Sequence, residues 1–507
     1  MARVTERIDD TLPDAVRPDS QDSDESQFPP EPVAERNSPW FIKPFVAFED
    51  RTGIWHVVKP IIQHPIPPKT GWMYVFGTAT LTSFIVQIVT GIALALFYDP
   101  SSAGAYQSLQ FISHDLVFGS QLRAIHNFGA AAMVIFIGIH MIRVFLTGSF
   151  KFPREVSWLS GVVLFILTIT IAFTGQIMRW DQDGLWTEAI LINQAGRVPF
   201  VGTWLVNLAL GGETFGAQSF TRIVGLHMLW LPGLIIGIVA FHLYLVIKNG
   251  ISEPPKVGRP VDPRRYRAWY DNMLRREGVP FWPDALWRDV VFSAALVTAL
   301  VVIAWTLGPP ELSLPPDPTI VTATPRPDFY FLWYFGLLAL SPANFENKII
   351  IGAPAALIIV LFLIPILGYK GERHPARRPW AVVFVLMTVF TVGFYTIEGH
   401  VAPWSPDYAN QPLPESIVGQ LTGPARQGAD LFHEKGCEFC HNIGGNGGIR
   451  GPNLGDVGDK LTREELIIRI SNGSTSMPAF GSILTPEQMD DLVAFLQTQR
   501  RTNYVPK

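Results

Sequence analysis

Apolar runs long enough to cross a bilayer alternate with short polar stretches over most of the chain. A helical span needs about 17–25 residues, and runs of this kind lie near residues 72–98, 122–147, 157–178, 223–247, 290–307, 349–367 and 380–397. From about Gly423 the chain becomes more polar, with helical patterns in ARQGADLFHEKG and TPEQMDDLVAFLQTQRR. The pattern predicts an all-α fold, in which a bundle of seven transmembrane helices precedes a small α-helical domain.

Composition agrees with a membrane protein. Of the 507 residues, 48% are hydrophobic and only 16% are charged, which is too apolar for an ordinary soluble enzyme of this length. The acidic, proline-rich start reads as a disordered tail. Because it contains no apolar core of the signal-peptide type, we expect transmembrane helices to carry any exported part across the membrane.

Charges in the loops predict the orientation. Lys and Arg gather after the second, fourth and sixth spans, whereas loop 99–121 contains neither. By the positive-inside rule the N-terminus is cytoplasmic, and the C-terminal domain lies on the exported side of a bacterial cell membrane. Prolines confine the apolar segment 329–340 to about 15 residues, which favours an interfacial helix over a span. Residues 41–60 mix aromatic and basic side chains and predict an amphipathic helix on the cytoplasmic surface.

Four histidines lie on the apolar runs at matched spacings. His126 and His140 are 14 residues apart, and His227 and His242 are 15 apart. Fourteen helical residues rise about 21 Å and complete almost four turns, so each pair projects from one face at two depths. Pairing the helices brings His126 beside His227 near the exported side and His140 beside His242 near the cytoplasmic side. Each pair would bracket one non-covalent haem b.

Other interpretations compete at each of these positions. A single membrane histidine is as well explained as a hydrogen-bonded polar residue between helices, but four in matched pairs favour haem. Arg123 and Arg143 lie three residues before His126 and three after His140. There a guanidinium would pair with haem propionates, and snorkelling at the helix ends is the alternative.

The C-terminal domain contains a haem-attachment motif. The chain's only two cysteines, Cys437 and Cys440, stand in Cys-Glu-Phe-Cys-His, which ends at His441. The cysteines would form thioethers to one covalent haem c, with His441 as an iron ligand. A zinc pair lacks a second cysteine pair, and a thioredoxin-type dithiol lacks its βαβ pattern. The tract around Met477 resembles small class I cytochromes c and implies a distal iron ligand there, with a core methionine as the alternative.

The membrane part resembles a known family, cytochrome b of the quinol-oxidising cytochrome bc and bf complexes. The stretches TLTSFIVQIVTGIALALFY, RAIHNFGAAAMVIFIGIHMIRVFLTGSFKFPRE, WDQ at Trp180–Gln182 and TRIVGLHMLWLP look like the chloroplast-type four-helix cytochrome. The wider His227–His242 spacing is also of the bf type. Residues 289–400 are similar to the separate three-helix subunit of bf complexes.

The resemblance implies a quinol-oxidation site at Pro327-Asp328-Phe329-Tyr330, where the family carries Pro-Glu-Trp-Tyr. Quinol oxidation releases protons, and Asp328 would accept one, with Pro327 and Tyr330 lining the site. Asp is one methylene shorter than Glu, so its reach differs. An Asp that caps helix 329–340 is the alternative. The sequence departs from the family a second time at Val75, which stands where bf complexes bind an extra haem through a cysteine. Without that cysteine, an extra haem here would have to be bound non-covalently.

Pattern and resemblance together predict five regions. They are a disordered cytoplasmic tail at 1–40, a four-helix cytochrome b haem-binding domain with an N-terminal surface helix at 41–250, a basic cytoplasmic linker at 251–288, a three-helix cytochrome b region with the quinol-site loop at 289–412, and an exported c-type cytochrome domain at 413–507.

The implied function is that of the core haem subunit of a quinol:cytochrome c oxidoreductase. Quinol oxidised at Asp328 would give one electron to a Rieske iron–sulfur protein and on to haem c. The other would cross two b haems to a quinone, coupled to proton translocation. The sequence assigns no residues to this quinone reduction. Lys248 and Arg143 are cations in suitable positions for it, and nothing more marks them.

The implied partners follow from that function. The Rieske protein must be a separate chain, since both cysteines here are already used. The membrane quinone pool supplies the substrate, and a c-type cytochrome or another acceptor takes the electrons. The family also implies a homodimeric complex, and we expect no nucleic-acid partner. Two alternatives stay open: a non-bifurcating relay between the quinone pool and another redox subunit, and a transporter with midplane histidines and no haem.

Overall fold

A computed structural model describes residues 39, 43–210, 217–317, 320, 325–342, 345, 348–401, 412–447, 451–473 and 477–501. The chain divides into two units, Met1–Gln63 and His64–Lys507. The predicted tail at 1–40 lies almost wholly outside the described residues.

The first unit contains two short helices, α1 (Lys43–Thr52) and α2 (Ile54–Ile62). Gly53 between them has φ of +61°, a left-handed conformation that interrupts a helix and that glycine adopts without a steric penalty. The amphipathic segment predicted over 41–60 is therefore two helices rather than one. Phe45 and Phe48 are 58% and 53% exposed, as expected for side chains that would enter a membrane surface.

The second unit contains the remaining elements. Its membrane part, up to residue 401, has β1 (Pro65–Ile66), α3 (Phe76–Ala95), α4 (Ala105–His114), α5 (Gly119–Leu146), α6 (Glu155–Ile177), α7 (Gln182–Gly196), α8 (Gly202–Leu210), α9 (Ala217–Gly225), α10 (Leu231–Asn249), α11 (Tyr266–Glu277), β2 (Val279–Pro280), α12 (Phe281–Asp284), α13 (Leu286–Leu307), α14 (Phe329–Leu340), α15 (Ala353–Gly368) and α16 (Pro379–Val401). Short 3-10 turns lie at Trp72–Tyr74 and Pro375–Arg377, and π turns lie at Leu226–Trp230 and Lys348–Gly352.

Seven helices in the described part of the chain are long and apolar enough to cross a membrane, which confirms the predicted bundle. They cover Phe76–Ala95, Gly119–Leu146, Glu155–Ile177, Gln218–Asn249, Leu286–Leu307, Lys348–Gly368 and Pro379–Val401. The apolar helix α14 has only 12 residues. At 1.5 Å per residue it is about 18 Å long, short of the roughly 30 Å hydrocarbon core.

The fourth span is not a regular helix. The π turn Leu226–Trp230 joins α9 to α10 and contains His227, and Pro232 stands in the first turn of α10. A π turn accommodates one extra residue within a helix. The 15-residue separation of His227 and His242 is therefore equivalent to 14 residues of regular helix, so both imidazoles face the same way.

The helices pack in pairs that set the positions of the histidines. α3 lies along α5, and α6 lies along the π turn and α10. The Gln87 amide on α3 donates to the His126 carbonyl at 2.9 Å, at a point where α5 has Gly129. The packing places polar groups of α3 and α6 against the histidine-bearing faces of the other two spans.

Contacts join the first four spans to the last three. β1 pairs with β2 in antiparallel register, Pro65 opposite Pro280 and Ile66 opposite Val279. The Lys151 ammonium donates to the Lys370 carbonyl at 2.7 Å. The two halves are therefore bonded to each other as well as continuous in sequence.

The C-terminal part contains α17 (Glu415–Val418), α18 (Pro424–Glu434), a 3-10 turn at Cys437–Phe439, the hairpin of β3 (Asn442–Ile443) and β4 (Asn446–Gly447), α19 (Val457–Lys460), α20 (Arg463–Asn472) and α21 (Pro486–Thr498). Helices α18 and α21 cross closely. A Cβ on Gly428 would lie 1.9 Å from the Asp491 carbonyl oxygen, so only glycine fits there. Phe432 and Phe495 pack beside the crossing, with ring centroids 5.6 Å apart. This confirms the predicted small helical domain.

Candidate functional site

The structure brings the predicted histidines together in two pairs. The ring centroids of His126 and His227 are 6.5 Å apart. A metal bonded at about 2 Å to one nitrogen of each ring would separate the two centroids by roughly 6 Å. His140 and His242 lie further along the same two spans, with their rings beside Gly77 of α3 and Gly161 of α6. The distance between His126 and His227 therefore fits one iron held between two imidazoles.

Hydroxyl groups on the facing helices orient three of the histidines through Nδ1. The pairs are His126 with Thr90 at 2.9 Å, His227 with Thr174 at 3.0 Å, and His242 with Ser160 at 2.8 Å. Each hydroxyl donates its own proton to a backbone carbonyl of its helix, those of Val86, Ile171 and Ser157 respectively. The oxygen must therefore accept from Nδ1–H. That tautomer leaves the Nε2 lone pair free for a metal.

Four glycines stand opposite the four imidazoles, at a spacing the sequence analysis missed. Gly77 and Gly91 on α3 are 14 residues apart, as are Gly161 and Gly175 on α6. A Cβ at these positions would lie 2.8–3.5 Å from a histidine Cε1. The contacts are Gly77 with His140, Gly91 with His126, Gly161 with His242 and Gly175 with His227. The missing side chains leave room for the four imidazoles against α3 and α6. The equal spacing of the glycines was the signal available in the sequence.

The two predicted propionate partners differ in their surroundings. Arg143 is only 7% exposed, and its guanidinium lies 3.8 Å from the centroid of the Tyr74 ring. Among the described residues, its Nε and Nη2 have no hydrogen-bond partner, as expected if they bond to a group such as a propionate. Arg123 instead donates to the Ser113 hydroxyl at 2.8 Å and to the Pro310 carbonyl at 2.5 Å. Of the two, Arg143 fits the predicted role better.

Asp328 and Tyr330 meet in the loop that precedes α14. The Tyr330 hydroxyl donates to the Asp328 carboxylate at 2.6 Å. Asp328 occupies the N-cap position of α14, but within the described residues its side chain caps no backbone N–H of that helix. The carboxylate is thus held by a neighbouring phenol rather than by the helix, which weighs against the capping alternative. Burial, followed by the nearby Asp328 charge, raises the pKa of Tyr330, so this phenol remains a proton donor.

A buried glutamine fixes this loop to the end of α6. The described residues of the loop are 308–317, 320 and 325–328, and these are called the Asp328 loop. Gln176 is 3% exposed, and its amide donates to the Arg326 carbonyl at 3.2 Å. Gln176 follows Gly175 and Thr174, which contact the His227 imidazole. A small cavity beside the loop is lined by Phe173, Thr187, Ile190, Pro325, Arg326, Pro327 and Phe335. The carboxylate, the cavity and the His126–His227 pair therefore share one short stretch of α6.

The Trp180–Gln182 motif begins α7 on the same side of the protein. Asp181 is fully buried and accepts hydrogen bonds from the N–H groups of Gly184 and Ser313, both at 2.9 Å. It also pairs with Arg179 at 2.6 Å. The motif thus binds the Asp328 loop to α7.

The haem-attachment motif lies in the C-terminal domain. Cys437 and Cys440 form no disulfide, and burial raises the pKa of Cys437 to about 12, so that thiol stays protonated. His441 donates from Nδ1 to the Pro452 carbonyl at 2.9 Å, and burial lowers its pKa. It therefore presents a neutral Nε2, the form that binds iron. Met477 packs against the same hydrophobic core as Cys437.

The chain was compared with known protein families. Residues 61–250 match the family described as cytochrome b/b6/petB. Residues 423–496 match the family described as cytochrome c oxidase, cbb3-type, subunit III. The two matches cover the histidine-pair region and the Cys-Glu-Phe-Cys-His motif.

Curated relatives and a solved structure agree with these matches. Cytochrome b6 of Synechococcus elongatus is 39% identical over 207 residues, which are 41% of this chain and 96% of the relative. Cytochrome b6 of Acaryochloris marina is 38% identical over 207 residues, with the same coverage. A solved structure described as a hyperthermophilic respiratory Complex III aligns with a TM-score of 0.60 and 24% identity, over 71% of this chain and 91% of that chain. At that identity the likeness shows a shared fold.

Proposed function

The chain belongs to the cytochrome b/b6 family, and we propose that it is the core haem subunit of a quinol:cytochrome c oxidoreductase. It is a multi-pass membrane cytochrome whose two matched regions are of types that carry haem b and haem c. We propose two non-covalent b haems, at His126 with His227 and at His140 with His242. A covalent haem c would be attached at Cys437 and Cys440 with His441 and Met477 as iron ligands. Bound haem supplies one-electron transfer.

One observation supports quinol oxidation in particular. The Asp328 loop is bonded to Gln176, two residues after the Thr174 that orients His227. A quinol bound beside this loop would therefore have a proton acceptor and an electron path within a few residues of each other. Tyr330 holds the Asp328 carboxylate in place, and Asp328 accepts a proton from the quinol hydroxyl.

The full proposal is a bifurcated reaction. One electron of each quinol leaves to a separate Rieske-type iron–sulfur protein and on towards haem c, and then to a c-type cytochrome or another acceptor. The other leaves through the histidine pairs to a quinone on the far side of the membrane. The released protons appear on the exported side, so the reaction translocates charge. We propose a homodimer in a bacterial cell membrane, with the N-terminus cytoplasmic and the C-terminal domain exported.

The test is oxidant-induced reduction in native membranes. With quinol present and quinone reduction inhibited, a pulse of oxidant should transiently reduce haem b while haem c is oxidised. Asp328→Asn should slow this phase by at least about 100-fold, the contribution typical of a general base, with absorption spectra unchanged. Asp115→Asn, an exposed carboxylate in the loop between the first two spans, is the matched control.

The contrary outcome is clear. If haem b and haem c become oxidised together in the unmodified protein, the reaction is not bifurcated, and a linear relay between the quinone pool and another redox subunit replaces the proposal. If Asp328→Asn retains full rate, the proton acceptor lies elsewhere.

A further inference from the structure

A buried carboxylate lies inside the haem-attachment motif. Glu438, between Cys437 and Phe439, is only 3% exposed. Glutamate is almost never buried to this degree unless it is paired. The motif is a tight turn, in which the His441 N–H donates to the Cys437 carbonyl at 3.0 Å and the Phe439 N–H donates to the Gly436 carbonyl at 3.1 Å. Glu438 is therefore held within a hydrogen-bonded segment of backbone.

His433, near the end of α18, is the partner of this carboxylate. Its Nδ1 donates to Glu438, and the two side chains form a salt bridge when the imidazole is protonated. The His433 side chain is 34% exposed, so the imidazole reaches water while the carboxylate does not. The Gly436 N–H also donates to the His433 carbonyl at 3.0 Å. Both the ring and the backbone of His433 are thus bonded to the motif and to the glycine before it.

Neighbouring elements keep the turn in place. The hairpin of β3 and β4 packs against its backbone, since a Cβ on Gly447 would lie 3.0 Å from the Glu438 carbonyl oxygen. On α18, Phe432 precedes His433 and packs against Phe495 of α21. The carboxylate and its partner are therefore both supplied by segments that the core of the domain fixes.

A charge in this position acts on the oxidation state of a haem. Burial raises the pKa of Glu438, whereas the hydrogen bond and the charge of His433 lower it, so the partner favours the ionised carboxylate. A negative charge stabilises ferric haem, which carries one more positive charge than ferrous haem. At an effective dielectric constant of about 20, a unit charge roughly 10 Å from the iron changes this one-electron equilibrium by about tenfold.

We propose that the Glu438 carboxylate lowers the reduction potential of haem c and that His433 is its positioning residue. The inference rests on the proposed attachment of haem c at Cys437 and Cys440. Glu438 follows Cys437 directly, so its charge is one residue away from the proposed thioether. A methionine ligand raises the potential of a haem, and Glu438 acts in the opposite direction to Met477. The two residues together would set the potential at which haem c accepts electrons.

A purely structural role for the pair is the competing explanation. The contact between His433 and Glu438 ties the motif turn to α18, and loss of such a tie would loosen the turn. That role depends on the hydrogen bond and not on the negative charge. Glutamine in place of Glu438 keeps a side-chain oxygen that accepts from Nδ1 but removes the charge, so the haem potential distinguishes the two explanations.

The experiment measures the midpoint potential of haem c by redox titration of the purified protein at neutral pH. Glu438→Gln should shift the equilibrium about threefold to tenfold towards ferrous haem, which corresponds to a potential about 30–60 mV more positive. Glu438→Asp keeps the charge and should stay close to the unmodified protein. The matched control is Glu434→Gln, which removes an equal charge from a side chain that is 64% exposed and pairs with Lys435 at 2.9 Å. Water and salt screen that charge, so its loss should leave the potential unmoved.

Each contrary result has a definite meaning. A potential in Glu438→Gln equal to that of Glu434→Gln overturns the inference. Equal shifts in Glu438→Gln and Glu438→Asp also overturn it, since they assign the effect to the position of the turn and not to the charge. If Glu438→Gln does not assemble, the double variant with His433→Gln leaves neither charge of the pair in the domain and must show a shift of the same sign. Failure of the proposed haem c is a separate result, because the unmodified chain would then retain no haem after denaturation.

Discussion

The Arg373 guanidinium pairs with the Glu253 carboxylate inside the protein and joins the linker after the fourth span to the loop before the seventh. Their side chains are 3% and 11% exposed. Tyr266 donates to the same carboxylate at 2.6 Å, and Arg154 donates to Tyr266 at 2.9 Å. The pair thus lies within a connected polar network that bridges both halves.

Breaking this pair should destabilise the protein. Glu253→Gln leaves the Arg373 charge buried and uncompensated, at a cost of about 3–5 kcal/mol. The midpoint of thermal unfolding of the purified protein should fall. A double change, Glu253→Met with Arg373→Met, removes both charges and should recover most of the loss. If the double variant is less stable than Glu253→Gln, the pair stabilises the folded protein by more than the neutralisation of each charge by the other.

A side chain at Gly175 should displace a haem. The Cβ of Gly175→Ala would lie 2.8 Å from Cε1 of His227, so either the imidazole or the helix must move. We expect substantial loss of haem b, measured by the pyridine haemochrome spectrum. Gly138→Ala is the control, because nothing lies within 4 Å of a Cβ at that position on α5. Normal haem b content in Gly175→Ala would contradict the proposed haem position.

The hydroxyl that binds His227 should tune the haem potential. Thr174→Val removes the acceptor for Nδ1–H, which makes the imidazole a weaker donor to ferric iron. A hydrogen-bond difference of about 1 kcal/mol corresponds to tens of millivolts for one electron, so one b-haem potential should rise by that order. Redox titration measures it. Thr170→Val is the control on the same helix, since the exposed Thr170 hydroxyl bonds only to the Ile166 carbonyl in the described residues. Equal shifts of the b-haem potential in Thr174→Val and Thr170→Val would refute the assignment of His227 as a haem ligand oriented by Thr174.

Glu188 should make stability depend on pH. It is fully buried on α7, and burial raises its pKa to about 7 from the usual value of 4.5. Because the folded state holds the proton more tightly, the contribution of Glu188 to stability is full below pH 4.5 and is lost as pH rises towards 7. The contribution amounts to about 3 kcal/mol.

The matching experiment compares unfolding temperatures at pH 5 and pH 8. Glu188→Gln should be stabilised relative to the unmodified protein at pH 8 and show a smaller difference at pH 5. Glu464→Gln, an exposed glutamate of the C-terminal domain, should follow the unmodified protein at both. If Glu188→Gln lowers the unfolding temperature equally at both pH values, the carboxyl is not titrating in this range.

Met477 should set the potential of haem c. Met477→Ala removes the thioether and should lower the midpoint potential, since methionine ligation raises it. Met489→Leu, a buried core change in the same domain, is the control and should leave the potential unmoved. An unchanged potential in Met477→Ala would make Met477 a core residue.

The sequence revealed those parts of the site that depend on local pattern. His126 and His140 could be placed on one helix face by spacing alone, and the seven spans followed from apolar length. The pairing of Glu253 with Arg373 could not be predicted from the sequence, since the two residues are 120 positions apart and each resembles an ordinary loop charge. The break at Gly53 was missed because a single glycine within an amphipathic pattern does not by itself end a helix.

Gln176 shows a different limit. In the sequence it is one polar residue at the end of an apolar span. Its hydrogen bond to the Arg326 carbonyl arises only when the Asp328 loop folds back to the end of α6. The histidines that would bind a cofactor had recognisable spacings, whereas this positioning residue did not.

The π turn at Leu226–Trp230 gives the fourth span one more residue than its length in space requires. Histidines 14 apart on a regular helix and 15 apart across such a turn can therefore hold metal centres at equal depth. A search that demands one fixed interval would overlook chains of the second kind. Counting positions between ligands measures the path of the backbone, not the gap between the atoms that bind.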